Sequence, residues 1–426
     1  VTENTKTTKY SPFDRTAQRD RKRQAILEIS ARLFNTKGSR GTTLIDIASR
    51  LNLTKTSLYY YVKTKEELIY LCYLDTLRMM GTLLDRAEEQ ASEPLETLEA
   101  FVDIYFEYWS LAEQNKAPAT AVLAEIYTLK NEHKKDVLSA YSAFLRRISG
   151  IIERGRDQKT MKVRSVMALT HAFTSTMQWS VVWLPNLGAD KTDQAASAFK
   201  MILRDGLSSW ASAVPQTALP MPQANSTGGF NKDINSQIKQ EAFIKTASGL
   251  FNRKGYKGTS LDEIAEELGV TKGAFYYHIK NKEDLLLMCF DRTIDTMTET
   301  AQLADQFGRD GLAKLFLGAA RLFAIQNSEA GPLIRTDHLI ALDRETRDPI
   351  LEKIRRVSDR FGAFIREGLN DHTIRPINAV IAQEIVLGTI MGADELSRWQ
   401  DIEDLNSSAH DYLDFIVTGL DIEKDK

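Results

Sequence analysis

Two strings in this chain are dense in side chains that hold anions without reacting with them. One runs Thr54-Lys55-Thr56-Ser57-Leu58-Tyr59-Tyr60-Tyr61 and continues to Lys63 and Lys65. The other runs Thr271-Lys272-Gly273-Ala274-Phe275-Tyr276-Tyr277-His278 and continues to Lys280 and Lys282. Hydroxyl and ammonium groups suit phosphate oxygens, and a few such groups at the start of a helix can read base edges. The chemistry they offer is recognition. No nucleophile–base pairing, phosphate-cradling loop or metal-ligating cluster is legible, and the six histidines are scattered. No cofactor is expected, and the chain does not read as an enzyme. Cys72 and Cys289 occupy matching places and are expected as small buried residues rather than a disulfide.

Both strings lie inside a block that is written twice. Residues 26–72 and 243–289 align without a gap at an offset of 217, with 20 of 47 positions identical. In a chain of 426 residues this is duplication of a whole unit and splits the molecule into near-equal halves. Each block reads as three short helices and a long one. The first is amphipathic, with Ile26, Leu27, Ile29, Leu33 and Phe34, or Phe243, Ile244, Leu250 and Phe251, at helical spacing. It stops at Gly38 or Gly255, where glycine can take a left-handed cap. Thr43 with Asp46, and Ser260 with Glu263, come close to a capping box for the second helix. Asn52 and Gly269 then occupy the turn, being residues that reach positive φ at little cost. Thr54 and Thr271 are placed to cap the third helix. A helix, a tight turn and a second helix of this kind form a helix-turn-helix, whose later helix lies in the major groove.

The strings TKTSLYYYVKTKEEL and VTKGAFYYHIKNKEDL resemble the DNA-binding domain of TetR-type bacterial repressors. About 50 residues in each half take part, with the Gly-Thr pair, the Ile-Ala pair, the threonine cap, the aromatic run and the Lys-x-Lys in register. The resemblance implies that Lys55, Thr56, Ser57, Tyr59 and Tyr61 approach bases or nearby backbone, and that Thr42, Thr43, Tyr60 and Lys65 face phosphates. In the second copy it implies Lys272, Gly273, Ala274, Tyr276 and His278 for bases, with Thr259, Ser260, Tyr277 and Lys282 for phosphates. Leu58 and Phe275 fall on the inward face. The two readers differ where they should read: Thr56 and Ser57 carry hydrogen-bonding groups, Gly273 and Ala274 carry none.

Net charge is −3, yet residues 15–65 sum to +9 and residues 232–282 to +3, leaving −15 for the rest. Basic heads on acidic bodies suit a protein that touches polyphosphate at two places. Arg15, Arg19, Arg21, Lys22 and Arg23 precede the first head and could follow the DNA backbone. The second head has Lys232 and Lys239 there, and acids at Glu266 and Glu267, so unequal half-sites are expected.

The expected architecture is all-α. A basic arm (1–19) leads to a first helix-turn-helix domain (20–66) and a helical body (67–211). An exposed linker (212–233), with three prolines and two glycines, leads to a second helix-turn-helix domain (234–283) and body (284–426). The family resemblance implies that the last two helices of each body, about 163–184 with 191–210 and about 377–398 with 405–420, form a dimer interface. Val166, Leu169, Phe173, Met177 and Val181 face Ile381, Ile385, Gly388 and Gly392 in that reading. The two halves would pair within one chain as a pseudo-dimer, and a linker of this length can span the distance. The competing arrangement is a homodimer carrying four heads.

Aromatics crowd the first body, and two readings stand for them: plain core, or a hydrophobic effector pocket lined by Tyr105, Trp109, Tyr127, Phe144, Phe173, Met177 and Trp179. The string TSTMQWSVVWLPNLGAD is similar to a segment of TetR-type regulators of fatty-acid and steroid breakdown, which implies an acyl thioester or other lipid-like effector. No apolar run is long enough for a membrane span. The first 23 residues lack the apolar core of a secretory signal, so a cytoplasmic protein is expected. The reading is a ligand-responsive regulator, in the first place a repressor, that binds double-stranded DNA at an asymmetric operator. Two alternatives compete: a second head that has lost DNA binding and serves assembly, and an enzyme or small-molecule carrier with vestigial heads.

Overall fold

A computed structural model describes residues 12–123, 126, 129–188, 191–209, 214–222, 232–256 and 258–422. Tyr127, the chain before residue 12 and the linker stretch 223–231 lie outside the described residues. No helix among them is long and apolar enough to cross a membrane.

Among the described residues, eight α-helices form each half, in the same order. The first half runs α1 (Pro12–Gly41), α2 (Leu44–Arg50), α3 (Lys55–Tyr59), α4 (Lys65–Gln90), α5 (Pro94–Glu113), α6 (Asn131–Asp157), α7 (Val166–Leu187) and α8 (Thr192–Asp205). The second runs α9 (Lys232–Lys254), α10 (Leu261–Glu267), α11 (Lys272–His278), α12 (Lys282–Phe307), α13 (Gly311–Gln326), α14 (Arg344–Asn370), α15 (Ala379–Met391) and α16 (Leu405–Val417). The duplication therefore extends through both bodies, where side chains have diverged but helix order has not.

Positive φ falls where the sequence places it. Gly38 (71°) and Gly255 (73°) end the first straight run of each half, and Asn52 (53°) and Gly269 (64°) make the turns. The expected arm is different: α1 begins at Pro12, so residues 12–19 are the opening turns of a helix and not a separate strand of chain. No glycine or proline interrupts the sequence between Pro12 and Gly38, which is why the helix does not stop at the basic cluster.

The bodies meet inside the chain. α7 packs along α15 and α16, and α8 lies against both. Thr176 and Thr389 share a hydroxyl–hydroxyl bond of 2.7 Å, and the Trp179 indole N–H donates to Glu384 at 3.3 Å. Gly388 and Gly392 allow the approach: a Cβ at Gly388 would lie 2.7 Å from Trp179, and one at Gly392 2.2 Å from Ser175. Backbone also crosses between halves. Leu207 N–H donates to Ile416 O at 2.7 Å, Ser208 N–H to Val417 O at 2.9 Å and Lys162 N–H to Leu420 O at 2.8 Å. Arg164 adds an ion pair to Asp414 at 3.5 Å.

Two expectations change here. The α7 face toward α15 carries Ser175, Thr176 and Trp179, whereas Phe173 turns into its own body against Phe101 and Phe199. A bulky apolar stripe fills a bundle, while helices that approach closely need small side chains and a few satisfied polar groups. The linker is not simply exposed either. Leu219 is buried, and Arg321 on α13, itself buried, donates its Nε–H to Pro220 O at 2.8 Å. Arg321 also binds Thr300 Oγ1 and pairs with Glu299 at 3.1 Å. Asn406 on α16 reaches Gln216 O at 3.3 Å. Residues 214–222 are thus tied to the second body.

Candidate nucleic-acid interface

Each head is held from within by the same local bonds. In the first, the Thr43 hydroxyl accepts from Asp46 N–H at 3.1 Å while Asp46 accepts from Thr43 N–H at 2.7 Å, the full capping box. The Thr43 N–H, and the Thr43 hydroxyl that donates to Asp46 Oδ2 at 2.7 Å, hold the Asp46 carboxyl below the ordinary range. Ser260 accepts from Glu263 N–H at 3.1 Å, and Glu263 also pairs with Lys254. Thr54 accepts from Ser57 N–H and Thr271 from Ala274 N–H, starting α3 and α11. Leu58 and Phe275 are buried, and beneath them Ile47-Ala48 or Ile264-Ala265 close the core. Cys72 and Cys289 are both free and buried, each donating to the matching carbonyl of Leu27 or Ile244.

Packing one face of α3 inward leaves the other outward. Lys55, Thr56, Ser57, Tyr59 and Tyr60 are exposed, as are Lys272, Gly273, Ala274, Tyr276 and Tyr277. Tyr60 is 70% and Tyr277 86% exposed. Lys55 lies 5.7 Å over the Tyr59 ring, and Arg19 lies 5.7 Å over the Tyr60 ring. The Arg19 contact brings the opening of α1 to the end of α3, which spacing in the sequence did not reveal. Tyr61 and His278 are half-buried; Tyr61 meets Tyr60 edge-on at 5.4 Å and His278 lies 5.6 Å from Phe243. Lys65 donates to Thr42 O at 3.3 Å, and Lys282 sits 4.6 Å over Tyr256.

Thr42 and Thr259 are not outward residues. Both are buried, and each hydroxyl donates to two carbonyls: Leu33 O and Gly38 O, or Leu250 O and Gly255 O. Their hydroxyls lock the glycine corner to the first helix and do not face phosphate. A threonine beside a glycine break has unpaired carbonyls within reach, and burial makes satisfying them worth more than solvent exposure.

The second head carries a feature the sequence reading missed. Asp262, on α10, accepts from Lys272 Nζ at 2.7 Å. Subtracting the repeat offset gives Ile45, which is 55% exposed and uncharged. Comparing the two blocks position by position was the available signal. Arg253 also pairs with Glu267 at 3.6 Å.

Of the residues proposed for an effector, Tyr105, Trp109, Phe144, Phe173 and Met177 are all buried in the first body. Phe101 joins three of them, at 6.2 Å from Tyr105, 6.0 Å from Phe144 and 6.3 Å from Phe173. Trp179 lies apart from them, in the seam between bodies. Two further α7 residues belong to the cluster: Ser180, whose hydroxyl lies 3.5 Å from Tyr105 OH, and Trp183, whose buried indole N–H has no acceptor among the described residues.

The model of bacterial regulatory proteins of the tetR family matches at residues 26–70 and again at 243–289, and that of the tetracyclin repressor-like C-terminal domain at 91–207. An uncharacterised HTH-type transcriptional regulator of Bacillus subtilis, YerO, is 55% identical over 49 residues, which are 12% of this chain and 17% of YerO. The HTH-type transcriptional repressor KstR2 of Rhodococcus jostii is 26% identical over 204 residues, 46% of this chain and 97% of KstR2. Local matches of the first kind span well under two thirds of the relatives' own length. The solved structure of the regulator PfmR from Thermus thermophilus is similar at 25% identity and a TM-score of 0.37, covering 42% of this chain and 95% of that one.

Proposed function

Because the chain belongs to the TetR family of bacterial regulators, with the family's N-terminal domain present twice, we propose that it is a ligand-responsive transcriptional repressor whose two linked heads grip one DNA duplex. The observation that carries this reading is the intrachain seam between α7–α8 and α15–α16, with the Thr176–Thr389 bond at its centre. It joins two DNA-reading units in one covalent particle. Linkage makes the second DNA contact intramolecular, so a poor second half-site is tolerated. It also removes the need for a palindrome, since the two readers differ.

Release is assigned to a small hydrophobic effector in the first body, of acyl-thioester or related lipid-like chemistry. The aromatic cluster around Phe101 and the Trp183 N–H, unpaired among the described residues, support this placement. An effector that shifts the heads must bind one head arrangement better than the other.

Light scattering of the free protein tests the assembly. A mass near 48.1 kDa fits one chain with two heads, and twice that value refutes the single-chain particle. Titration with a duplex then gives one chain per DNA, and medium-chain acyl thioesters should lower the affinity. The Asp262–Lys272 pair favours a second reading, in which the second head no longer holds DNA. Under that reading, Tyr277→Ala with Lys282→Ala leaves operator affinity unchanged.

A further inference from the structure

Three cations of the second head face acids of the same head. Lys272 Nζ is 2.7 Å from Asp262, Arg253 is 3.6 Å from Glu267, and Lys254 pairs with Glu263. In the first head the places of Asp262 and Glu267 hold Ile45 and Arg50, and the place of Arg253 holds Thr36. Lys272 and Lys55 occupy the same register, the first residue of the reading helix after a threonine cap. The scaffold beneath them is common to both, so the difference lies in the neighbour and not in the helix.

We propose that Asp262 sets the strength of the second head by competing with DNA phosphate for Lys272, which makes this head a follower that engages only once the first has docked. The proposal rests on the two-head reading above and adds the residue that grades the heads. Both partners are exposed, with side chains 68% and 49% accessible, so the pair is weak enough for phosphate to displace. Displacement does not remove the carboxylate, however. Asp262 stays beside the DNA backbone as a like charge, so moving Lys272 to a phosphate yields little net neutralisation. In the first head Ile45 imposes no such penalty on Lys55. The consequence is a head whose contribution to counterion release is smaller than its lysine count implies.

Because phosphate contacts are independent of sequence, the test needs no operator. Full-length protein is titrated with a mixed-sequence duplex of about forty base pairs across a salt series, reading the slope of log K against log salt. Asp262→Asn is expected to steepen that slope by about 0.9, the value for one additional phosphate, and to raise affinity at every salt. Adding Lys272→Gln to that variant should return both to the parent values. Ile45→Asp should lower the slope by a similar amount from the other side. An unchanged slope in Asp262→Asn overturns the proposal. So does a gain that persists with Lys272→Gln, because Asp262 would then act as a bulk charge and not through its lysine. Tyr277→Ala with Lys282→Ala, in the parent background, separates the two failures. If that double variant weakens binding while Asp262→Asn changes nothing, only the role of Asp262 falls. If neither changes binding, the two-head reading falls with it.

Discussion

Head one buries Thr42, Ile47, Ala48 and Leu58; head two buries Thr259, Ile264, Ala265 and Phe275 at the same registers, with each threonine hydroxyl on the equivalent pair of carbonyls. Outside, the registers part company. Ile45 faces solvent where Asp262 holds Lys272, and Thr56-Ser57 stand where Gly273-Ala274 carry no donor. The interior is constrained by packing at close range, where one methylene is felt. The outer face is constrained only by what it touches. One scaffold can thus present two different outer faces, and the seam between the bodies ties the two units together.

The comparison breaks most severely if the seam is forced open. Gly388→Leu places branched carbon where Trp179 already lies 2.7 Å from an ideal Cβ. We expect a loss of roughly 3 kcal/mol in urea unfolding, accompanied by weaker DNA binding because the heads lose their common frame. Gly273→Ala is the matching control in the second reader, where an added Cβ meets nothing within 4 Å; it should leave stability unchanged or slightly raised. A Gly388→Leu protein with an unaltered midpoint would remove the seam from the account.

Acid separates seam from heads by a different route. His171 is buried against Trp399 with neither ring nitrogen bonded among the described residues, and burial pushes its pKa down to about 4. An unfolded histidine titrates near 6.5. As pH falls below that value the unfolded chain takes a proton that the folded chain refuses, so stability present above pH 6.5 is lost progressively toward pH 4. The loss is on the order of 3 kcal/mol over the whole window. Glu384 and Asp414, whose pKa values burial raises, work in the opposite direction. His171→Phe isolates the histidine: its unfolding free energy, measured from pH 7 to 4, should fall less steeply than the parent's. Parallel curves would show that His171 is not the group responsible.

Thr42→Val and Thr259→Val sharpen the comparison from inside the heads. Each leaves two buried carbonyls without the hydroxyl they now share, and a loss of about 1.5 kcal/mol is expected in both heads alike. Neither should change the salt dependence of DNA binding. A reduced slope in Thr42→Val would reinstate the phosphate role that the sequence suggested.

The contrast between what was legible and what was not follows distance along the chain. Caps, glycine corners and the Asn52 and Gly269 turns come from bonds between neighbours three to five residues apart, and residue type alone announces them. The seam helices are located by resemblance, and Gly388 and Gly392 fall in the contact as expected, but the α7 face that meets them carries Ser175, Thr176 and Trp179 in place of the bulky apolar stripe. Phe173 looks like interface material until Phe101 and Phe199 are seen to enclose it, and Trp179 looks like pocket lining until Glu384, 205 residues away, takes its N–H. Arg321 likewise gave no sign that Pro220 would be its acceptor. Thr42 failed for a related reason. A hydroxyl near a DNA-reading helix suits phosphate equally well on paper, and only the fold of Gly38 brings two carbonyls to it first.

The smallest expected effect probes the turn that first marked both heads. Gly269 sits at φ 64° with open space where a Cβ would go, and Asn52 takes 53° at the same register. Crowding therefore plays no part, and backbone preference alone should set the cost. Gly269→Ala should lose about 1 kcal/mol, and Gly269→Asn only a few tenths, because asparagine tolerates the left-handed region. Asn52→Gly should be nearly neutral and Asn52→Ala should match Gly269→Ala, all read from thermal midpoints. Were Gly269→Ala neutral while Asn52→Ala was costly, the asparagine side chain would be contributing a bond of its own, and the two turns would differ in mechanism despite sharing a conformation.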